Sequence, residues 1–598
     1  MTEQDQIRIR EKFLCPAAAG MEITISEGPG LHILFRDQKA AITAEDANAL
    51  ARACFLLSCA VREGKAALEV HQHRHIASCG AMIDASRNAV PTVEAVKRMM
   101  DKLAMLGMNL LMLYTEDTYE VPGQPYFGYL RGRYSRTELR ELDDYAYSLG
   151  IELVPCIQTL GHMEQFLQWS GNYALRDQND ILLIDQPETY RLIEDAIAGL
   201  RSCLRAGRVH IGMDEAHGVG LGAYHAAHGE VDRFALLSRH LQKVCAICEK
   251  YDLHPMMWSD MFFRLGSKQN AYYDPEIVIP DEVIRMIPNV DMVYWDYYHN
   301  DQSFYDHMLV QHARMGRTVF AGGVWAWSGF LPHVKKTRAT MTPALRACAA
   351  HRVDTVFATL WGDDGAETNA LLAFNQLPIF SEACWQGENV PEEEIARLGE
   401  QLTGVPDAAF RAFGEFYPTD AEEYRPGKGF IWCDLLYPLM HYPLPEPLSD
   451  TIARFRNAEA VLRAYPDHIE AVFAALCFRV AAEKADIIRE LRARYLAKDK
   501  QYLQQLAEER IPALLESYHQ LMLTHRALWE RDNKRNGWEV LALRYGAVTG
   551  RLQDVQDALR RYLNGTLETL CELDEEPLYA NRAAYLNYSA FVSPSMIQ

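Results

Sequence analysis

Between residues 80 and 360 the chain alternates short apolar runs with amphipathic helical patterns, and this alternation constrains the fold more than any other feature. The apolar runs cover 80–83, 109–114, 152–158, 209–213, 254–258, 290–295, 318–323 and 355–360. Helical periodicity fills the gaps at 92–106, 136–149, 190–201, 231–251 and 304–315. Strand-length apolar runs separated by helices of this size are the signature of βα units, whose sheet is parallel and covered by helices. Eight such units in succession predict an α/β fold of the (β/α)8 TIM-barrel type. An open doubly wound sheet is the alternative, but no Gly-x-Gly-x-x-Gly turn follows the first run.

The flanks read differently. Residues 21–25 and 31–35 read as strands around a Gly-Pro-Gly turn, 43–62 as an Ala-rich helix, and 67–71 as a returning strand. That makes a small N-terminal α+β domain over 1–75. The barrel then takes 76–385, and 387–394 reads as a linker. Residues 425–447 are Pro-rich and aromatic, with Trp432, Tyr437 and Tyr442. Helical periodicity dominates from 449 to the end, including a long helix over 538–563, so 386–598 is read as an α-helical C-terminal domain.

Composition bounds the function. The 598 residues carry 60 Lys and Arg against 81 Asp and Glu, a net charge of −21. Such a surface disfavours nucleic acid and anionic membrane as partners. No apolar run reaches the ~20 residues of a membrane span. The first thirteen residues lack an apolar signal core, and the 13 cysteines are irregularly spaced. Both features predict a cytoplasmic protein with free thiols. Cys245-x-x-Cys248 lies in a helical pattern and reads as core. His71, His73 and His75 alternate as a solvated strand face. No cofactor motif is present, and no metal site is expected.

In a TIM barrel, chemistry sits at the C-terminal strand ends. Here those ends read Asp84 and Arg87, then Tyr114-Thr115-Glu116-Asp117, then Gln158-Thr159-Leu160-Gly161-His162. Asp214-Glu215, Trp258-Ser259-Asp260 and Tyr294-Trp295-Asp296 follow. Trp325 and Trp327 come after the seventh run, and Trp361-Gly362-Asp363-Asp364 after the eighth. Carboxylates accept hydrogen bonds from hydroxyls, and aromatic faces pack on pyranose rings. The set therefore suits a sugar. Asp214 and Glu215, adjacent at a strand tip, should leave in different directions, one toward a leaving oxygen and one beneath the ring. His210 should pack within the barrel, a satisfied core histidine is the lesser alternative for His162, and Asp84 with Arg87 reads as a structural ion pair.

His210-x-Gly212-x-Asp214-Glu215 resembles the signature of family 20 glycoside hydrolases, the β-N-acetylhexosaminidases. Residues 80–88, with Asp84-x-x-Arg87, resemble the family's first strand. Gly161-His162, Tyr294-Trp295-Asp296 and Trp361-Gly362-Asp363 match further elements in order. The domain layout resembles the bacterial, intracellular-type branch. The resemblance implies an exo-acting, retaining enzyme in which the substrate's acetamido oxygen attacks the anomeric carbon; the general two-carboxylate scheme does not apply. It implies Glu215 as general acid and base, Asp214 on the acetamido N–H and Tyr294 on the acetamido oxygen. Asp296 and Asp363 would bind outer hydroxyls. Trp258, Trp327 and Trp361 would wall the sugar, with Glu116 or Asp117, together with His162, completing its non-reducing end. The substrate is an N-acetylhexosamine-terminated oligosaccharide or glycoconjugate, and a homodimer is implied. Two departures stand out: the family's Arg before the first-strand Gly is Cys79 here, and its Trp-x-Glu is Trp361-x-Asp363. The alternatives are another acetamido-sugar barrel glycosidase and a non-catalytic sugar-binding barrel.

Overall fold

The computed structural model describes residues 1–593 except 19, 270, 388–389, 422–424, 440–445, 577 and 579–586. Tyr442 and part of the 387–394 linker therefore lie outside the described residues.

Strands β1 (Glu22–Glu27), β2 (Leu31–Arg36), β3 (Lys39–Ala44) and β4 (Ala67–Gln72) form a sheet in the order β1-β3-β2-β4. The helix Ala47–Arg62 covers it. Asp46 starts this helix by accepting the Ala49 N–H at 2.7 Å, which satisfies one of the donors a helix N-terminus leaves unpaired. Nearly every side chain of the helix is buried, because it is sandwiched between the sheet and the barrel. Of the three alternating histidines, only His71 lies on a strand.

The barrel strands are β5 (Ser78–Asp84), β6 (Leu110–Tyr114), β7 (Glu152–Cys156), β10 (Arg208–His210), β11 (His254–Trp258), β12 (Asp291–Trp295), β13 (Thr318–Gly323) and β14 (Thr355–Leu360). β8 (Arg176–Gln178) and β9 (Ile181–Leu182) form a small ribbon in the loop after β7. The eight strands are parallel and close in sequence order, β14 pairing back to β5. The expected TIM barrel is present. Its fourth strand is not as read: β10 stops at His210, and the chain through Asp214 and Glu215 is irregular.

The N-terminal sheet is tied to the barrel by a buried ion pair. Arg52 grips Glu382 of the helix Pro378–Gln386 with two bonds of 2.8 and 2.9 Å, and neither side chain is exposed. Arg52 also donates to Leu106 O at 2.9 Å and Gln72 Oε1 at 3.0 Å.

From Asp363 onward the chain is helical, with long helices at Ile469–Leu496, Ile511–Asp532 and Trp538–Leu563. These build a second core that reaches onto the barrel through Phe330, whose ring lies 5.2 Å from that of Trp432. The helical part thus sits on loops at the C-terminal ends of the strands. Asn536 donates to Leu130 O at 2.7 Å in the loop after β6. Among the described residues no helix is long and apolar enough to cross a membrane.

Candidate active site

Gly212 makes the site possible. At φ +70° it begins a turn in which Met213 (φ 74°) and Glu215 (φ 50°) are also left-handed. A Cβ at Gly212 would stand 2.1 Å from Gln158 Oε1, so only glycine fits the approach. The turn ends β10 early and swings both carboxylates to one place. Asp214 Oδ2 lies 3.2 Å from His162 Nε2, and Glu215 Oε2 lies 3.3 Å from the same nitrogen. The expected divergence from a strand tip is thereby corrected.

Each partner is fixed from behind. Gln158 donates to Asp214 Oδ1 at 2.7 Å and to the Tyr114 hydroxyl at 2.8 Å. Tyr114 donates to Glu116 Oε1 at 3.1 Å. Asp260, wholly buried, accepts the Glu215 backbone N–H at 3.0 Å and the Trp295 indole N–H at 3.2 Å. The Glu215 and Asp363 side chains keep 35% and 34% exposure, against 10% for Asp214. The first two therefore face the cleft and Asp214 forms its floor.

Charge follows from this packing. Burial opposes protonation of His162, but Asp214 and Glu215 outweigh it and raise its pKa well above the ordinary imidazole value. Burial likewise penalises the charge on Asp214, which His162 and Gln158 overcome, holding it below the usual range. Glu215 is lowered in the same way by His162 and by the Tyr272 hydroxyl. Asp260 has no cation to help it. Burial and then the charge of Asp214 push it up to about 8. Burial and neighbouring carboxylates raise Glu116 and Asp363 in spite of Arg87.

Arg87 is more than a structural partner of Asp84. Its guanidinium lies 3.4 Å from both Asp84 and Glu116 and 3.7 Å from Asp363, over the rings of Tyr114 and Trp361 at 4.9 and 5.0 Å. Asp117 instead pairs with Arg131 at 2.9 Å. Cys79 is not on the site. Its buried thiol donates to Phe380 O behind the sheet, so what stands there does not bear on sugar contacts.

The aromatic wall contains Trp258, Trp361 and Trp327. The Trp361 ring lies 4.8 Å from Tyr114 and 6.0 Å from Trp258, and Trp327 stacks on Trp325 at 4.5 Å. His210 packs against Trp258 at 4.3 Å and is driven down to about 3 by burial, so it is neutral.

Tyr294 and Asp296 are not brought to this cluster. Tyr294 points outward, its ring stacked at 4.6 Å on His312 of the helix Gln302–Ala313, and its hydroxyl donates to Asp296 Oδ2 at 2.7 Å. Asp296 also takes the backbone N–H of Tyr298 at 2.9 Å and pairs with His299 at 2.8 Å. Both residues do share one side of the strand, but it is the helix side. The inward residues are Trp295 and Tyr297. Tyr297 lies 5.1 Å from Trp327, accepts the Trp361 indole N–H at 3.1 Å, and feels the charges of Asp363 and Glu215. Tyr114, Gln158 and Trp295 stand at the strand ends in the sequence without a role there, and Tyr272 and Tyr297 are not singled out by it. The signal that could have assigned Trp295 and Tyr297 is the same period of two, shifted by one residue. Among the described residues no three His, Cys, Asp or Glu side chains are grouped as metal ligands.

Residues 79–279 match the catalytic domain of glycosyl hydrolase family 20, and residues 412–592 match the glycoside hydrolase 20C C-terminal domain. The chain belongs to glycoside hydrolase family 20. This family 20 protein is 25% identical to hexosaminidase D of Homo sapiens over 228 residues, 35% of its own length and 43% of the human protein. It is 25% identical to hexosaminidase D of Bos taurus over 264 residues, covering 40% of itself and 68% of that relative. The chain thus spans less than half of the human protein. Among solved structures it superposes on a β-N-acetylhexosaminidase from Bacteroides fragilis with TM-score 0.50 and 17% identity, over 67% of this chain and 89% of that one. A chitobiase from Flavobacterium johnsoniae gives TM-score 0.50 and 16% identity, over 85% and 89%. At these identities the structures speak for the fold.

Proposed function

We propose that this family 20 protein is an exo-acting, retaining β-N-acetylhexosaminidase that releases terminal β-linked GlcNAc or GalNAc by substrate-assisted catalysis. One observation carries the reading: Asp214 and Glu215 converge on His162 Nε2 at the C-terminal end of the barrel, beside an aromatic wall. In the first half-reaction Glu215 gives its proton to the leaving oxygen. The acetamido oxygen forms a bond to the anomeric carbon as the glycosidic bond breaks. Asp214 accepts the acetamido N–H and offsets the positive charge that develops on the oxazolinium ring. In the second half, Glu215 takes a proton from water, which attacks the same carbon and reopens the ring.

Tyr297, in place of Tyr294, gives its hydroxyl to the acetamido oxygen. Trp258, Trp327 and Trp361 enclose the acetamido group and pyranose. Arg87, Glu116 and Asp363 bind the outer hydroxyls, a charged edge that suits a polyol. His162 stabilises the ionised form of Glu215, the form the second half-reaction uses. The thirteen cysteines, unpaired in the structure, support a reducing compartment such as the cytoplasm.

The test is hydrolysis of aryl β-glycosides of GlcNAc, GalNAc and glucose by the purified protein. Release from the two N-acetyl sugars but not from glucose is expected. Equal release from glucose would remove the acetamido group from the mechanism, and binding without release would leave a sugar-binding barrel.

A further inference from the structure

The turn after β14 is a second strained piece of backbone beside the site. Asp364 (φ 55°), Gly365 (φ 95°) and Ala366 (φ 55°) are left-handed in succession. Non-glycine residues avoid this region unless their surroundings enforce it. Here the enforcing groups come from the helical domain. Lys428 Nζ lies 2.5 Å from Asp364 Oδ2 and 2.9 Å from Glu367 Oε2. Arg544 reaches Asp364 Oδ1 at 3.0 Å and Glu367 Oε1 at 2.8 Å, and it donates to the Asp364 carbonyl at 2.7 Å. The Trp432 indole N–H donates to Glu367 Oε1 at 2.6 Å, and the Tyr588 backbone N–H donates to Asp364 Oδ2 at 2.6 Å. Lys428 and Glu367 are 1% and 2% exposed. A cation and a carboxylate this deeply buried are costly unless each is paired, and both are, within a network that Arg544 and Asp364 complete from its more exposed edge.

Asp363 is the residue immediately before this clamp. On its other side the Gly362 N–H is held by Asp84 Oδ2 at 2.9 Å, so the backbone is anchored both before and after Asp363. Its carboxylate stands over the cleft, 3.7 Å from Arg87. We propose that Arg544 and Lys428 are positioning residues for Asp363, so that the helical domain sets how the site reads the outer hydroxyls of the sugar. The proposal rests on the reading of Asp363 as a hydroxyl-binding carboxylate. It gives the C-terminal domain a part in specificity as well as in stability: the cations fix the Asp364–Glu367 turn, and the turn fixes Asp363.

The experiment is a double-mutant cycle of Arg544→Met and Asp363→Ala in the full chain, with KM and kcat measured on aryl β-GlcNAc and β-GalNAc and folding checked by circular dichroism. Arg544→Met is expected to raise KM about tenfold and to shift the GlcNAc to GalNAc ratio in the direction that Asp363→Ala shifts it. The double variant should be no worse than Asp363→Ala alone, since groups acting through one residue are not additive. Arg544→Lys should recover part of the loss. Additive effects, or an unchanged KM and ratio in folded Arg544→Met, would overturn the proposal and leave the Asp363 reading standing. Should Asp363→Ala itself change neither quantity, that reading falls and the proposal falls with it. If Arg544→Met does not fold, Lys428→Met takes its place in the same cycle.

Discussion

The indole N–H of Trp361 donates to the hydroxyl oxygen of Tyr297 across 3.1 Å. A phenol that accepts in this way keeps its own proton for a third group. Tyr294 has no such proton to give, because Asp296 already takes it at 2.7 Å. The hydroxyl whose proton is left for the cleft is therefore that of Tyr297, three residues beyond the motif tyrosine.

The two tyrosines give opposite expectations. Tyr297→Phe should lower kcat by about 10²–10³, the usual cost of one donor at a developing charge. Tyr294→Phe should leave kcat close to the parent. It should instead destabilise the fold by about 1–3 kcal/mol, because the buried Asp296 Oδ2 loses one of its two donors and keeps only His299. Steady-state kinetics and denaturant melts on both variants check this, and the reverse pattern would restore Tyr294 to the site.

Glu215→Gln removes the proton that the leaving oxygen needs. Turnover of unactivated glycosides should fall by about 10²–10⁴. Substrates with good aryl leaving groups should lose less in the first step. A uniform loss across leaving groups would contradict the general-acid role.

His162 holds the Glu215 pKa down, so removing its positive charge must move that pKa up. In His162→Asn the alkaline limb of kcat/KM, set by deprotonation of the acid, should shift to higher pH. The measurement is a pH profile on an unactivated substrate. A shift to lower pH would mean that His162 acts on Glu215 other than by charge.

Arg52 and Glu382 test the joint between the N-terminal sheet and the barrel. Both are fully buried and pair through two bonds. Arg52→Met leaves a carboxylate buried without its cation and should cost about 3–5 kcal/mol of stability. Unfolding in urea reads this directly, with activity per folded molecule expected to be unchanged.

The barrel was legible because its signals are local. Strand and helix periodicities, and the order of the units, are written in runs of a few residues, and eight of them leave one closed parallel arrangement. The Asp214-Glu215 pair, His162, the three tryptophans and Asp363 are read as candidates for the same reason: each lies at the end of an apolar run or within a few residues of it. Which way a side chain points is a different matter. Period two says that Tyr294 and Asp296 share a side, and they do. Only the pairing of β12 with its neighbours and the seating of the helix Gln302–Ala313 against it decided that this side faces away from the cleft. The early end of β10 depended on how near Gln158 comes to Gly212, a contact between residues 54 positions apart. The grip of Lys428 and Arg544 on the turn beside Asp363 joins residues still farther apart in sequence. The sequence alone determined the barrel and placed carboxylates and aromatics at the ends of its strands, since both are encoded in neighbouring residues. Tertiary structure decided which tyrosine faces the cleft and what holds the turn beside Asp363, since both depend on packing between segments that only folding brings together.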